Sequence, residues 1–539
     1  MKRRLVPLVA SLCVLGMVSV PVFATTDSQN VDQIARQLAQ LQQQVNLLQA
    51  QLRAKNHNNK STTKKSKSTA SNANSASTSP ENVSYISEHT SEEGNKAAAN
   101  APISGISTLP TSGTTYIPID VDVPGQSFVS SGPYIGVPLQ FSGNNLIVNT
   151  PSVNQDVALL KVRKNIHERL QALGVTETPD RPHVLLSGQV EGQAFYQNIG
   201  GGANSTDIDL TNVTLDAYIL GPSQWLSSLI SFTYDNNPGP VSGSFANNST
   251  VLNSRVYIKQ GFFTIGNFSQ TPFYGTVGQY YVPFGTYASN MVTAPLTLQL
   301  ARVKARAILV GYQPQLSHTP YASAYIFQGD THAGATNRVN NGGINLGYRL
   351  SKGEFSGDVG AGVIANIADS VGMQDVANNS NTFNGFGGVN GTGNERIAHR
   401  VPAYDLRATL DLGQAYDFVA EFITASTAFN KNDLTMNNHG ARPKAFNSEL
   451  SYSFQTFARP TAVAIGYGLT KDAMALQLPA QRYSLTVNTS VWRDTLQSLE
   501  FRHDVNYAAS SFGTGSLVPA PQASGQSNDT VTAQFDVYF

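Results

Sequence analysis

The 539-residue chain balances 35 lysines and arginines against 35 aspartates and glutamates, and charged residues make up only 13% of it. A formal net charge of zero gives no ground for a nucleic-acid partner. The one cysteine, Cys13, falls in the leader described next, so the mature chain offers no disulfide, thiol nucleophile or Cys-ligated zinc site.

Lys2, Arg3 and Arg4 precede an apolar run from Leu5 to Val20, and Val22-Phe23-Ala24 presents side chains suited to signal-peptidase cleavage. Residues 1–24 therefore read as a secretory signal peptide, since the run is short and no stop-transfer pattern follows. Beyond it no stretch approaches the roughly 18 consecutive apolar residues of a spanning helix. A chain of this kind crosses a membrane only as a closed barrel, because lipid satisfies no backbone hydrogen bond. The 45 glycines, 22 tyrosines and 25 phenylalanines suit that architecture.

Residues 25–54 form the next unit. Val31, Ile34, Leu38, Leu41, Val45, Leu48 and Leu52 recur at alternating spacings of three and four, the seam of a coiled coil. A homotrimer through residues 31–52 is expected in the periplasm; a lone amphipathic helix lying on another surface is the alternative. Residues 55–101, rich in Lys, Ser, Thr, Asn and Ala, lack the apolar content to fold and read as a disordered linker. Residues 102–182 mix short extended pieces with a helix from about Ser152 to Leu173, whose stripe is Leu159, Val162, Ile166, Leu170 and Leu173. Their length suits a small lid or partial plug at the periplasmic mouth.

From His183 to the terminus the period changes to two, and about sixteen strands can be drawn. Tight connections such as Ser351-Lys-Gly353, Gly413-Gln-Ala415 and Phe457-Ala-Arg459 alternate with long polar loops such as 367–401 and 431–443. That alternation, with an even strand count, predicts an all-β transmembrane barrel with both ends on the periplasmic side. The last strand carries Val531, Ala533, Phe535, Val537 and Phe539 on one face, with Thr532, Gln534, Asp536 and Tyr538 on the other. Phe535, Val537 and the terminal Phe539 are candidates for the barrel-assembly signal, and this strand should close the ring against the one beginning near His183.

Period 2 also sorts candidate lumen residues. A strand drawn over 297–313 sets Arg302, Lys304 and Arg306 on one face, a basic ladder that Arg255 and Lys259 extend. Such a ladder suits carboxylate-bearing solutes. Asp405, Asp411, Glu421, Glu449, Glu500 and Asp504 line the later strands, so an acidic wall is expected opposite the basic one. Pro283 cannot donate to a ladder and Gly285 turns the chain, which makes Pro283, Phe284 and Gly285 the start of a constriction folded inward over 286–296. The nine histidines are scattered without metal-ligand spacing, and neither a catalytic residue nor a cofactor is expected.

The order of parts, with Ile34-Ala-Arg-Gln-Leu-Ala-Gln-Leu-Gln-Gln-Gln-Val45, Gln279-Tyr-Tyr-Val-Pro-Phe-Gly-Thr-Tyr287, Leu300-Ala-Arg-Val-Lys-Ala-Arg-Ala-Ile-Leu-Val-Gly-Tyr312 and terminal Phe539, resembles the legiobactin-receptor family of siderophore porins. The resemblance implies an outer-membrane barrel of sixteen strands that takes up a ferric polycarboxylate siderophore. A general or anion-selective porin for small anionic solutes, such as sugars or phosphate, is the alternative. A structural envelope tether that uses the barrel only as an anchor is a further one.

Overall fold

The computed structural model describes residues 120–123, 127–131, 153–172 and most of 182–539; 236–254, most of 375–394, 516–524 and a few single positions lie outside the described residues. The chain divides into two units, 1–93 and 94–539, and all described residues belong to the second. The leader, the coiled coil and the linker expected from the sequence therefore lie outside the described residues.

Alternation of apolar and polar side chains gives extended strands one greasy and one wet face, and sixteen such strands close a ring. In chain order they are β1 (His183–Ile199), β2 (Ser205–Leu220), β3 (Leu226–Asp235), β4 (Arg255–Gly266), β5 (Phe273–Tyr281), β6 (Lys304–Tyr312), β7 (Thr319–Phe327), β8 (Asn341–Lys352), β9 (Phe355–Ile364) and β10 (Ala403–Leu412). They continue with β11 (Tyr416–Ala425), β12 (Lys444–Thr456), β13 (Arg459–Lys471), β14 (Gln481–Thr489), β15 (Thr495–Val505) and β16 (Ser527–Tyr538). Each pairs antiparallel with its sequence neighbour, and β16 closes on β1 from Asn528↔Ile199 to Tyr538↔Gln189. Closure removes the exposed edges that an open sheet would leave. A small ribbon, Asp120–Val123 with Ser127–Ser131, adds parallel to the start of β1.

The ring is apolar outside and polar inside. Val256 is 69% exposed, Val310 61%, Leu406 58% and Ile465 56%, all on outward positions. The alternating inward positions, such as Thr276, Asp405, Glu421, Glu449, Glu500 and Asp536, are buried. Exposed apolar side chains in a continuous belt require a lipid surround rather than water. Aromatic pairs mark the short-turn end of that belt: Phe273 with Tyr312 and Tyr416 with Tyr452, ring centroids 5.1 Å apart in each. Trp492 and Phe535 pair there too, at 6.0 Å.

The terminal strand closes the ring as its alternation required. Gln534 and Asp536 face inward, joined by a 2.8 Å hydrogen bond from Gln534 Nε2 to Asp536 Oδ2. The Phe539 N–H donates to the Gly188 carbonyl at 3.0 Å, and the Gly188 N–H donates back at 2.7 Å. The Phe539 ring lies directly over Gly188, where a Cβ would sit 2.2 Å from its Cζ. Gly188→Val is thus expected to expel the terminal ring at a cost of about 1–3 kcal/mol of overpacking. The check is a gel comparing heated and unheated protein, which should show a smaller folded fraction than wild type.

On the long-loop end the connections fold over the ring. Phe386 meets Phe383 edge to face and stacks on Phe429, with centroids 5.0 and 5.6 Å apart. A three-stranded sheet of Leu434–Met436, His439–Gly440 and Gly513–Gly515 joins distant loops above the barrel.

Candidate functional site

Three features meet inside the ring: a loop that crosses it, a helix that lines one wall, and a basic cluster between them.

The loop begins where β5 ends. Pro283 and the fully buried Phe284 lead to Gly285, whose φ of 81° suits glycine and whose missing Cβ leaves room for the Tyr287 ring 2.5 Å away. Residues 286–297 then span to the far wall, where three inward glutamates hold them. Glu421 on β11 accepts from the Thr286 N–H at 2.6 Å and the Thr297 hydroxyl at 2.6 Å. Glu449 on β12 accepts from the Ser289 hydroxyl and the Asn290 N–H, both at 2.7 Å. Glu500 on β15 accepts from the Thr293 hydroxyl at 2.6 Å and its N–H at 3.0 Å. Six hydrogen bonds to three strands of one wall hold the loop in place. Below it, β13 presents Ala462, Ala464, Gly466 and Gly468 inward. Added Cβ atoms at Gly466 and Gly468 would lie 2.9 Å from Met291 Cε and 2.8 Å from Leu296 Cδ1. The loop returns through a short helix, α2 (Leu296–Ala301), with Leu296 and Leu300 wholly buried. A second short helix, α3 (Val371–Gln374), and the Ser370 before it pack on α2, the Ser370 hydroxyl donating to the Leu300 carbonyl at 2.7 Å.

The lining helix is α1 (Gln155–Ala172). Its partners are interior positions of the ring. The Thr276 hydroxyl of β5 donates to Asp156 Oδ2 at 2.8 Å, and the Tyr218 hydroxyl of β2 donates to the Leu159 carbonyl at 2.9 Å. Leu159 and Leu160 are buried against that wall, and Arg163 reaches the Ser223 and Leu226 carbonyls at the β2–β3 turn. Burial pushes the Asp156 carboxyl up, with the Thr276 and Val157 donors opposing only in part. Burial, helped by Arg349, pulls the Lys161 ammonium down to about 8, with Asp358 opposing. The raised Asp156 value favours docking of the helix in acid and withdraws that support as pH rises through it. The lowered Lys161 value favours docking in alkali and withdraws that support as pH falls through about 8. Burial therefore works against the charged form of each group.

The basic residues converge, though not as a ladder. The strand drawn over 297–313 is helix α2 and then β6, so Arg302 is the helix cap and not a strand residue. Lys304 and Arg306 share parity with the exposed Ile308 and Val310, the outward face of β6. The tip of the β5–β6 hairpin is free of both walls, because pairing to β4 stops at Gly261↔Gln279 and pairing to β7 stops at Ala307↔Phe327. Near that tip the Arg302 guanidinium lies 4.5 Å from the Tyr281 ring centroid, and Lys304 Nζ lies 5.5 Å from that of Tyr257. Lys259, the extra residue of a bulge in β4, lies within electrostatic range of Tyr281. Arg306 instead donates to Gln279 at 3.4 Å on the exposed side. Arg255 starts β4, paired with Asp235 of β3.

No family model matches the chain. A UPF0422 protein of Coxiella burnetii is 38% identical over 418 residues, covering 77% of this chain and 84% of its own length. A UPF0422 protein of Legionella pneumophila strain Paris is 37% identical over 419 residues, covering 76% of each. The chain belongs to the UPF0422 family. Among solved structures, an anion-selective porin from Comamonas acidovorans is similar with a TM-score of 0.43 and 13% identity, over 67% of this chain and all of that one. OprB of Pseudomonas putida is similar with a TM-score of 0.39 and 11% identity, over 66% of this chain and 94% of that one.

In this UPF0422 chain the inward acids read from the sequence are largely consumed. Glu421, Glu449 and Glu500 hold the loop, Asp405 pairs with Arg407, and Asp504 pairs with Arg482 at 2.7 Å and Arg502 at 3.1 Å. The expected acidic wall is therefore one whose carboxyls are already engaged, by the loop or by neighbouring arginines. Sequence reasoning missed the small-residue stripe Ala462, Ala464, Gly466 and Gly468. Its signal, four small residues at period 2 on an inward face, was present in the sequence. Among the described residues no group of three His, Cys, Asp or Glu side chains is placed to hold a metal ion.

Proposed function

We propose that the chain is an outer-membrane porin that passes anionic solutes by way of the basic cluster at the root of the inward loop. One contrast carries this. The inward Arg407, Arg482 and Arg502 are ion-paired, whereas no described carboxylate forms an ion pair with Lys259, Arg302 or Lys304. The Arg302 Nε is buried without a hydrogen-bond partner among the described residues. Arg302 and Lys304, set on aromatic faces, suit a guest that brings its own carboxylates or phosphates, and Lys259 lies nearer the inward Glu191 and Asp216.

In the finer reading the guest is a ferric polycarboxylate siderophore, in keeping with the family resemblance of the sequence. A general anion porin is the coarser one, and trimerisation through residues 31–52 in the periplasm belongs to either. Conductance in planar bilayers tests both. The triple variant Lys259→Glu, Arg302→Glu, Lys304→Glu should lower anion over cation permeability by about tenfold, equivalent to about 1.4 kcal/mol. Arg306→Glu should leave it near wild type. Unchanged selectivity in the triple variant, with the barrel folded, counts against the proposal. Open steps blocked by ferric citrate favour the siderophore reading, and unblocked steps the general porin.

A further inference from the structure

The seam between α1 and the barrel wall is poorly satisfied for a permanent contact. Asp156 is buried with neutral donors only, Thr276 and a backbone N–H. Around it Gln155 Oε1, Gln260 Oε1 and the Tyr280 hydroxyl are buried without a hydrogen-bond partner among the described residues. These groups, with Phe262, Tyr281 and Leu309, line a gap too narrow to hold a water molecule. Separation of the helix from the wall would expose these atoms to water and recover the cost of burying them.

The position of the helix adds to this. Among the described residues α1 is held by the inward Thr276 and Tyr218 and by the carbonyls of a short turn, so the helix takes up cross-section that solutes need. The segment leading into α1 bridges in parallel to β5, Val153 opposite Tyr281. Tyr281 is the residue whose ring carries Arg302. The upper end of the seam and the basic cluster therefore share one residue.

We propose that α1 is a displaceable plug whose release from the β2–β5 wall opens the barrel, with Tyr281 joining it to the anion site. The proposal rests on the channel reading above and adds its gate. It is consistent with the placement of Asp156 and Lys161 under the helix, where burial works against the charged form of each.

A chain whose only cysteine lies in the leader allows a direct test with full-length protein in liposomes. In Asp156→Cys/Thr276→Cys, oxidation should pin the helix to β5 and cut chloride and ferric citrate flux roughly tenfold, with full recovery on reduction. Oxidised protein that is cross-linked on a gel yet passes solute at the reduced rate overturns the plug. The single variant Thr276→Cys separates this from failure of the channel reading. Thr276 has no exposed surface beneath the helix. Labelling of that cysteine in the folded barrel by a membrane-impermeant thiol reagent supports displacement even if no solute tested is transported. Labelling only after unfolding overturns it. Ferric citrate should speed the labelling, and loss of that effect in Arg302→Glu marks the link through Tyr281.

Discussion

Glu449→Ala is expected to loosen the inward loop and to raise both the size and the noise of single-channel currents. The Glu449 carboxylate accepts from the Ser289 hydroxyl, the Asn290 N–H and, at 2.8 Å, the Asn447 amide. Each hydrogen bond contributes about 0.5–1.5 kcal/mol, and removing the acceptor also leaves the buried Asn290 donor unsatisfied. A latch loss of about 3 kcal/mol moves the loop from almost always closed to open in a visible fraction of molecules. Glu421 and Glu500 still hold the flanks, so the triple alanine variant should show the full effect and Glu449→Gln, which keeps one acceptor, the least. Gly468→Val reaches the same state from beneath, because its side chain would occupy the place of Leu296 Cδ1. Conductance and protease sensitivity that match wild type in all of these would mean that the loop does not limit flow.

The largest stability effect is expected at Arg407, and it concerns the barrel wall rather than the path. The Arg407 and Asp405 side chains are 2% and 0% exposed and form a salt bridge on the inner face of β10. Arg407 also donates to Asn345 of β8 and, at 3.4 Å, to the Tyr321 hydroxyl of β7, so one side chain ties three strands together. Arg407→Ala strands a buried carboxylate, a change that costs about 3–5 kcal/mol. Asp405→Asn in the same molecule should recover part of that, since it removes the charge left behind. Urea unfolding in lipid vesicles measures both. Equal midpoints for single and double variants would show that the pair contributes little beyond packing.

The barrel and the loop inside it differ in how far they could be foreseen, and particular residues show why. Tyr404, Leu406 and Leu412 face outward on β10 because the side-chain direction of a strand depends only on parity, which can be counted along the chain. The closing role of Val531–Phe539, the short and long connections and the count of sixteen strands follow from the same local periodicity. The foreseen ladder failed at Leu296–Ala301. Leu-Thr-Leu-Gln-Leu-Ala alternates like a strand, yet it is helical because burial of Leu296 against Gly468 and of Leu300 beneath Ser370 outweighs the local pattern.

The membrane-facing shell is thus a property of period and turn chemistry, and it was legible residue by residue. Where the loop goes and where α1 docks were decided by contacts between residues far apart in the chain. Thr286 meets Glu421, Asn290 meets Glu449 and Asp156 meets Thr276, separations of 135, 159 and 120 residues. A carboxylate on an inward face has the same local signature whether it meets water, a cation or a loop. Only the closed ring brings the opposite wall within a hydrogen bond's reach and settles which of these it meets.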